Sequence, residues 1–166
     1  MVIKCIITKT ITMKAGTFTQ LYVQLVFAVK YRKNLIHKEI RKEVFEYTSG
    51  IIRDMGHKSI IVNGVSDHIH IFLGLNPNIS ISDTVYSVKR SSSLHINRNK
   101  LCSGRFAWQD GYGAFSYSRS HIERVYKYIL NQEQHHEKTT FKTEYTGLLE
   151  KYDVPYDERF LFDFFE

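Results

Sequence analysis

Two histidines separated by one isoleucine, in the stretch SDHIHIFLG at residues 66–74, are the first residues of this chain whose spacing suggests chemistry. In an extended strand successive side chains point to opposite faces, so His68 and His70 share one face while Ile69, Ile71 and Leu73 share the other. Their Cα atoms then lie roughly 6–7 Å apart, close enough for two ring nitrogens to converge on one ion. A pair of solvated or hydrogen-bonded histidines satisfies the same pattern. Asp67, beside them, either orients a ring or caps the hairpin turn.

A second polar pair lies in HIERVYKYILNQEQHH, where Tyr128 and Gln132 stand i, i+4 on a predicted helix with His121 and His135 nearby. Helical spacing groups Ile122, Val125, Tyr126, Ile129 and Leu130 as the buried stripe, which makes Tyr126 structural and leaves Tyr128 on the polar side. A surface tyrosine beside a glutamine is the plain reading. A phenol, with a pKa of about 10, is a weak nucleophile. A divalent ion on phosphate oxygens polarises the phosphorus and stabilises the transition state, so a tyrosine next to a histidine-held metal suits attack on a phosphodiester.

The elements that must position these residues follow from periodicity and turn signals. TFTQLYVQLVFAVKYR alternates as a first strand, and HKEIRKEVFEYTSGIIRDMG is a helix that Gly56 ends. KSIIVNGV and DHIHIFLGL form a hairpin over residues 58–75 whose second arm carries the histidines. Ser80 and Asp83 make a capping box for a second helix, YGAFSYS is a fourth strand, and Ser120 with Glu123 opens the tyrosine helix at 119–136. The order βαββαβ, then α, predicts an α+β, ferredoxin-like antiparallel sheet with two helices on one face, plus an additional C-terminal helix carrying the tyrosine. The other face is then open for a ligand or partner. EYTGLLEKY is a further short helix, and 152–166 is an aromatic, acidic tail. Residues 1–16 read as a leader extra to a single domain spanning 17–166.

Composition narrows the class. The chain has 166 residues, 43% hydrophobic and 24% charged, as a globular domain does. LYVQLVFAV at 21–29 is too short to cross a bilayer, and Lys4 and Lys9 interrupt any signal-peptide core, so a cytoplasmic protein without a membrane partner is expected. Cys5 and Cys102 alone fit a reducing compartment and provide no zinc knuckle. The net charge of +6 favours a polyanion. From Thr84 to Gln109 no acid occurs, while Lys89, Arg90, Arg98, Lys100 and Arg105 do, which makes this window the expected DNA-binding surface. Trp108, with Tyr86 and Phe106, either stacks on unpaired bases or packs in the core.

SDHIHIFLG resembles the histidine–bulky apolar–histidine (HUH) motif, and WQDGYGAFSYS followed by VYKYILNQEQHH resembles the strand and tyrosine helix of single-tyrosine HUH transposases, the IS200-like enzymes of bacterial insertion sequences. The match runs from about Thr17 to Glu166. It implies that His68, His70 and Gln132 ligate a divalent ion, Mg²⁺ or Mn²⁺, with Asp67 in support, and that Tyr128 is the catalytic tyrosine. It also implies cleavage and rejoining of single-stranded DNA through a 5′-phosphotyrosine, hairpins near the element's ends as partners, and a homodimer whose tyrosine helices complete each other's sites. By ligand chemistry alone, two imidazoles and a carboxamide suit Mn²⁺ or Zn²⁺ better than Mg²⁺.

Three other readings remain. An RRM-like single-strand binder shares the element order, but here histidines stand where bases would stack. A zinc hydrolase would add His135 as a ligand and needs a general base. A domesticated palindrome-processing nuclease would keep the same chemistry in a different biological setting.

Overall fold

The computed structural model describes residues 18–162. The expected leader at 1–16 and the end of the tail, 163–166, lie outside the described residues. Four strands, β1 (Tyr22–Ala28), β2 (Lys58–Gly64), β3 (His68–Gly74) and β4 (Gly113–Tyr117), form one sheet in the order β2-β3-β1-β4. Every pairing is antiparallel. Helix α1 (Lys38–Asp54) links β1 to β2, and α2 (Ile81–Arg98) links β3 to β4. This is the expected ferredoxin-like arrangement.

Apolar residues at alternate strand positions build the core between the sheet and its two crossover helices. Leu25 and Phe27 of β1 and Ile69, Ile71 and Leu73 of β3 pack with Val44 and Ile52 of α1 and Val85, Val88 and Ile96 of α2. Those helical residues recur at i+3, i+8 and i+11 spacings that keep one stripe toward the sheet. Local signals end the helices where expected: Gly56 takes φ +78°, and Ser80 Oγ accepts from Asp83 N–H at 3.0 Å. Gly64 is required by the hairpin, since a Cβ there would lie 2.3 Å from the His68 carbonyl oxygen. That close approach fixes the register that pairs Asn63 with His70.

The C-terminal third corrects three expectations. The tyrosine helix is two helices, α3 (Ile122–Leu130) and α4 (Gln132–His136), parted at Asn131. Asn63 of β2 explains the break: its side-chain amide donates to the carbonyls of Ile129 at 2.8 Å and Leu130 at 2.9 Å, replacing helical donors. No Ser120–Glu123 capping box forms, because a 3₁₀ turn at Arg119–His121 leads into α3 and the Ser120 hydroxyl meets Ser118 at 2.8 Å. Nor is the sheet's second face open. It is covered by α3, α4 and a further helix, α5 (Phe141–Lys151).

The buried arc of α3 also differs from expectation. Val125 and Ile129 are buried as expected, but Tyr126 and Leu130 are exposed and Tyr128 is half-buried. The arc is turned by roughly 60° toward Tyr128 and Gln132. Its neighbours are Tyr22, Phe72 and Tyr117, which select Val125, Ile129 and the flank of the Tyr128 ring.

Candidate metal and tyrosine centre

The second sheet face assembles the site. Residues directly opposed across antiparallel strands share a face, so Gln24 and Val26 of β1 lie on the same side as Phe72, His70 and His68 of β3. His68 and His70 are both fully buried, with ring centroids 5.3 Å apart. Each ring is held through Nδ1. Asp67 Oδ1 accepts from His68 Nδ1–H at 2.7 Å, which aims Nε2 inward. Asp67 is itself gripped by Arg32, whose Nε–H donates to Oδ2 at 2.9 Å. Of the two readings for Asp67, the structure shows the orienting one.

For His70 the partner is Gln24, whose amide nitrogen lies 2.9 Å from Nδ1 while its oxygen accepts from the Tyr117 hydroxyl at 2.8 Å. An amide's oxygen and nitrogen are interchangeable in shape. The reversed amide accepts Nδ1–H and leaves Nε2 free for a cation.

Both Nε2 atoms face Glu144 of α5, a residue that sequence reasoning missed. Its Oε2 lies 3.5 Å from His68 Nε2 and 3.4 Å from His70 Nε2. His136 Nε2 is 3.0 Å from the same oxygen, and His135 Nε2 is 3.5 Å from Oε1. Gln132 donates its amide N–H to Oε1 at 2.9 Å, and the Tyr128 hydroxyl donates to that oxygen as well. The signal in the sequence was an acid on an apolar helical stripe: Phe141, Glu144, Tyr145 and Leu148 recur at i, i+3, i+4 and i+7 and are all buried.

The electrostatics follow from this crowding. Burial alone would raise the Glu144 carboxyl, but the facing His70, His136 and His68 imidazoles override it and hold the group far below the ordinary carboxylate range. Burial, reinforced by the Glu144 charge, pushes the Tyr128 phenol well up. Burial disfavours a charged His68, yet the hydrogen bond to Asp67 and the nearby Glu144 outweigh it and raise that ring; for His70 burial prevails and lowers it. Asp67 is brought from 3.8 to about 2, burial being outweighed by His68 and Arg32.

These residues fit a divalent ion. His68 Nε2, His70 Nε2 and Gln132 Oε1 are buried with no hydrogen-bond partner among the described residues. One ligand atom from each of His68, His70 and Glu144 lies within 4.8 Å of the others. With both rings deprotonated, two imidazole lone pairs and an amide oxygen surround one carboxylate, which is what a cation requires. The carboxylate also makes the set harder than two imidazoles and an amide, and so more hospitable to Mn²⁺ or Mg²⁺.

The expected DNA-binding residues divide. Arg90, Arg98, Lys100 and Arg105 are exposed, on or just after α2, across the sheet from the histidines. Lys89 turns inward, its ammonium donating to the carbonyls of Gln109 at 2.7 Å and Gly111 at 2.5 Å, and burial draws it down to about 8. Trp108 belongs to the core: buried, it stands edge-on to Phe27 and Phe106 and donates from Nε1 to Ser92 Oγ at 2.9 Å. It offers no face to a base, and neither does the buried Phe106. Tyr86 alone of the three is exposed.

A buried histidine pair on a four-stranded antiparallel sheet thus lies beneath a helix-borne tyrosine. The family model described as "Transposase IS200 like" matches residues 17–132, more than half of the sequence, and the chain belongs to that family. It is 26% identical over 123 residues to the ISDra2 transposase TnpA of Deinococcus radiodurans, covering 70% of this chain and 87% of that protein. Two solved structures share the fold. One, from Deinococcus radiodurans R1 and provisionally described as a transposase, has a TM-score of 0.55 at 23% identity, over 72% of this chain and 96% of that one. The other, a REP-associated tyrosine transposase bound to a REP hairpin, has a TM-score of 0.55 at 12% identity, over 75% and 74%. Family membership makes the chain a DNA-processing enzyme. Among the described residues no helix is long and apolar enough to cross a membrane.

Proposed function

We propose that this chain is a cytoplasmic bacterial transposase that cleaves and rejoins single-stranded DNA at insertion-sequence ends by transesterification. One observation carries the reading: the Tyr128 hydroxyl and the Nε2 atoms of His68 and His70 converge on the same buried carboxylate. A divalent ion held by His68, His70 and Glu144, with Gln132 beside it, would polarise the scissile phosphate; we assign it as Mg²⁺ or Mn²⁺.

Tyr128 Oη forms a bond to phosphorus, the P–O3′ bond breaks, and the departing 3′-oxygen takes a proton. The product is a 5′-phosphotyrosine and a free 3′-hydroxyl. Glu144 already accepts the phenol's hydrogen bond and so orients the attacking oxygen, whose proton is lost to solvent as the bond to phosphorus forms. A 3′-hydroxyl from another end reverses these bonds and restores the phenol. One phosphodiester is made for each one broken, so no ATP is needed. Exposed Arg90, Arg98, Lys100 and Arg105 are proposed to hold DNA phosphates, with hairpin DNA as the partner, a reading supported by the fold shared with a hairpin-bound transposase.

The test is to incubate the protein with labelled, hairpin-bearing single-stranded DNA and Mg²⁺ or Mn²⁺, then look for an SDS-resistant adduct. Tyr128→Phe is expected to abolish the adduct while DNA binding survives, and Tyr126→Phe to retain it. An undiminished adduct in Tyr128→Phe would refute the nucleophile. We further propose a homodimer. Here the tyrosine meets its own chain's His70, with ring centroids 5.8 Å apart. Mixing Tyr128→Phe with His68→Ala distinguishes the arrangements: sites shared between subunits regain activity in the mixture, and sites contained in one chain do not.

A further inference from the structure

Helix α5 carries a glycine, Gly147, in mid-helix, where glycine weakens a helix relative to alanine. The usual reason for such a residue is a neighbour too near for a Cβ. Gly113 has that reason, since an added Cβ would lie 2.8 Å from the Tyr145 ring. Gly147 does not: a Cβ there would meet nothing within 4 Å. What the missing side chain leaves is room. Gly147 opens onto a cavity of about 380 Å³ between α3 and α5, walled by Tyr117, Val125 and Leu148 and reaching Tyr128 and Glu144. Arg124 and Lys151 also line it; both are exposed, and neither is paired with a carboxylate among the described residues. Lys151 Nζ stands 5.5 Å from the centroid of the Tyr117 ring.

We propose that this cavity seats one unpaired nucleotide, the neighbour of the phosphate that Tyr128 attacks. The base lies against Tyr117, Val125 and Leu148, and its flanking phosphates meet Arg124 and Lys151. An apolar slot with an aromatic wall accepts any base by its π face, and unpaired cations at the mouth supply the phosphate attraction. The volume is at the small end of the roughly 300–1,000 Å³ of ligand pockets, the scale of one nucleotide. A base held in a helical stack cannot enter such a slot, so the site itself selects single-stranded DNA. This inference rests on the reading of Tyr128 as the nucleophile.

The probe is 2-aminopurine deoxynucleoside 5′-monophosphate, whose fluorescence is quenched when its base stacks, titrated with the full chain in Mg²⁺. Wild type is expected to quench it to saturation. Gly147→Leu fills the slot and is expected to weaken the apparent affinity at least ~10-fold, as loss of a base-stacking platform does. Its melting temperature should rise, because leucine is the better helix former, so the loss cannot be misfolding. Arg124→Ala combined with Lys151→Ala should weaken binding and flatten its salt dependence. Equal quenching by Gly147→Leu and wild type overturns the pocket, as does an equal covalent adduct with single-stranded DNA. Quenching that Gly147→Leu abolishes, in a protein that never forms an adduct, sustains the pocket and overturns the nucleophile instead.

Discussion

The two faces of one strand divide the work of this protein. On β3 the odd-numbered side chains, Ile69, Ile71 and Leu73, enter an apolar layer under α1 and α2, whereas His68 and His70, two residues apart, enter a polar chamber under α4 and α5. Both faces are equally dry, since all five residues are fully buried. What differs is how burial is tolerated. The apolar face is stabilised chiefly by packing. The polar face survives because nearly every group has a partner, and the unpartnered atoms, His68 Nε2, His70 Nε2, Gln132 Oε1 and His135 Nε2, gather around one carboxylate. A concentration of unsatisfied polar atoms at one point marks a ligand site.

Single changes can break this contrast. The largest effect belongs to the apolar face: Ile71→Ala should destabilise the fold by about 2–5 kcal/mol in denaturant titration, with metal affinity of the folded fraction unchanged. On the polar face Glu144→Gln keeps the shape and removes the charge. Calorimetry should show Mn²⁺ affinity lowered by more than ~100-fold, beyond the ~10–100-fold typical of a lost outer partner. Asp67→Asn should fall within that outer-partner range, because it removes the charge that holds the His68 ring without touching the ion.

Acid titration of the metal-free chain sharpens the same point. Asp67 has a folded pKa below its ordinary value, so its contribution is fully present above about pH 4 and is lost as pH falls toward about 2. That window is worth on the order of 2 kcal/mol, and Asp67→Asn should lack it. The smallest effect lies far from both faces: Ser80→Ala removes the cap of α2 and should cost about 1 kcal/mol of thermal stability, with Mn²⁺ binding intact.

Much of the fold was legible in the sequence, and for identifiable reasons. Strand alternation placed the two histidines on one face, helical spacing placed Tyr128 with Gln132, and Ser80 and Gly56 marked their helix ends. The misreadings share a cause. Tyr126 was assigned to the buried stripe because an α3 read alone has no preferred rotation between neighbouring apolar arcs; Tyr22, Phe72 and Tyr117 choose it. Trp108 was balanced between base and core until Ser92 and Phe27 claimed it. Gln24, a lone polar residue in an otherwise apolar strand, was a signal left unread.

The amino-acid order by itself determined the order of elements, the pairing of His68 with His70 and the nearness of Tyr128 to Gln132, because each rests on backbone periods of two or about 3.6 residues. Only the tertiary structure decided that Glu144, on a helix beyond the residues matched by the family model, enters the centre, that Asn63 breaks the tyrosine helix, and that the second sheet face is closed. These are contacts between segments far apart in the chain or on separate helices. No local period encodes them; they follow from which buried polar groups can satisfy one another once the faces meet.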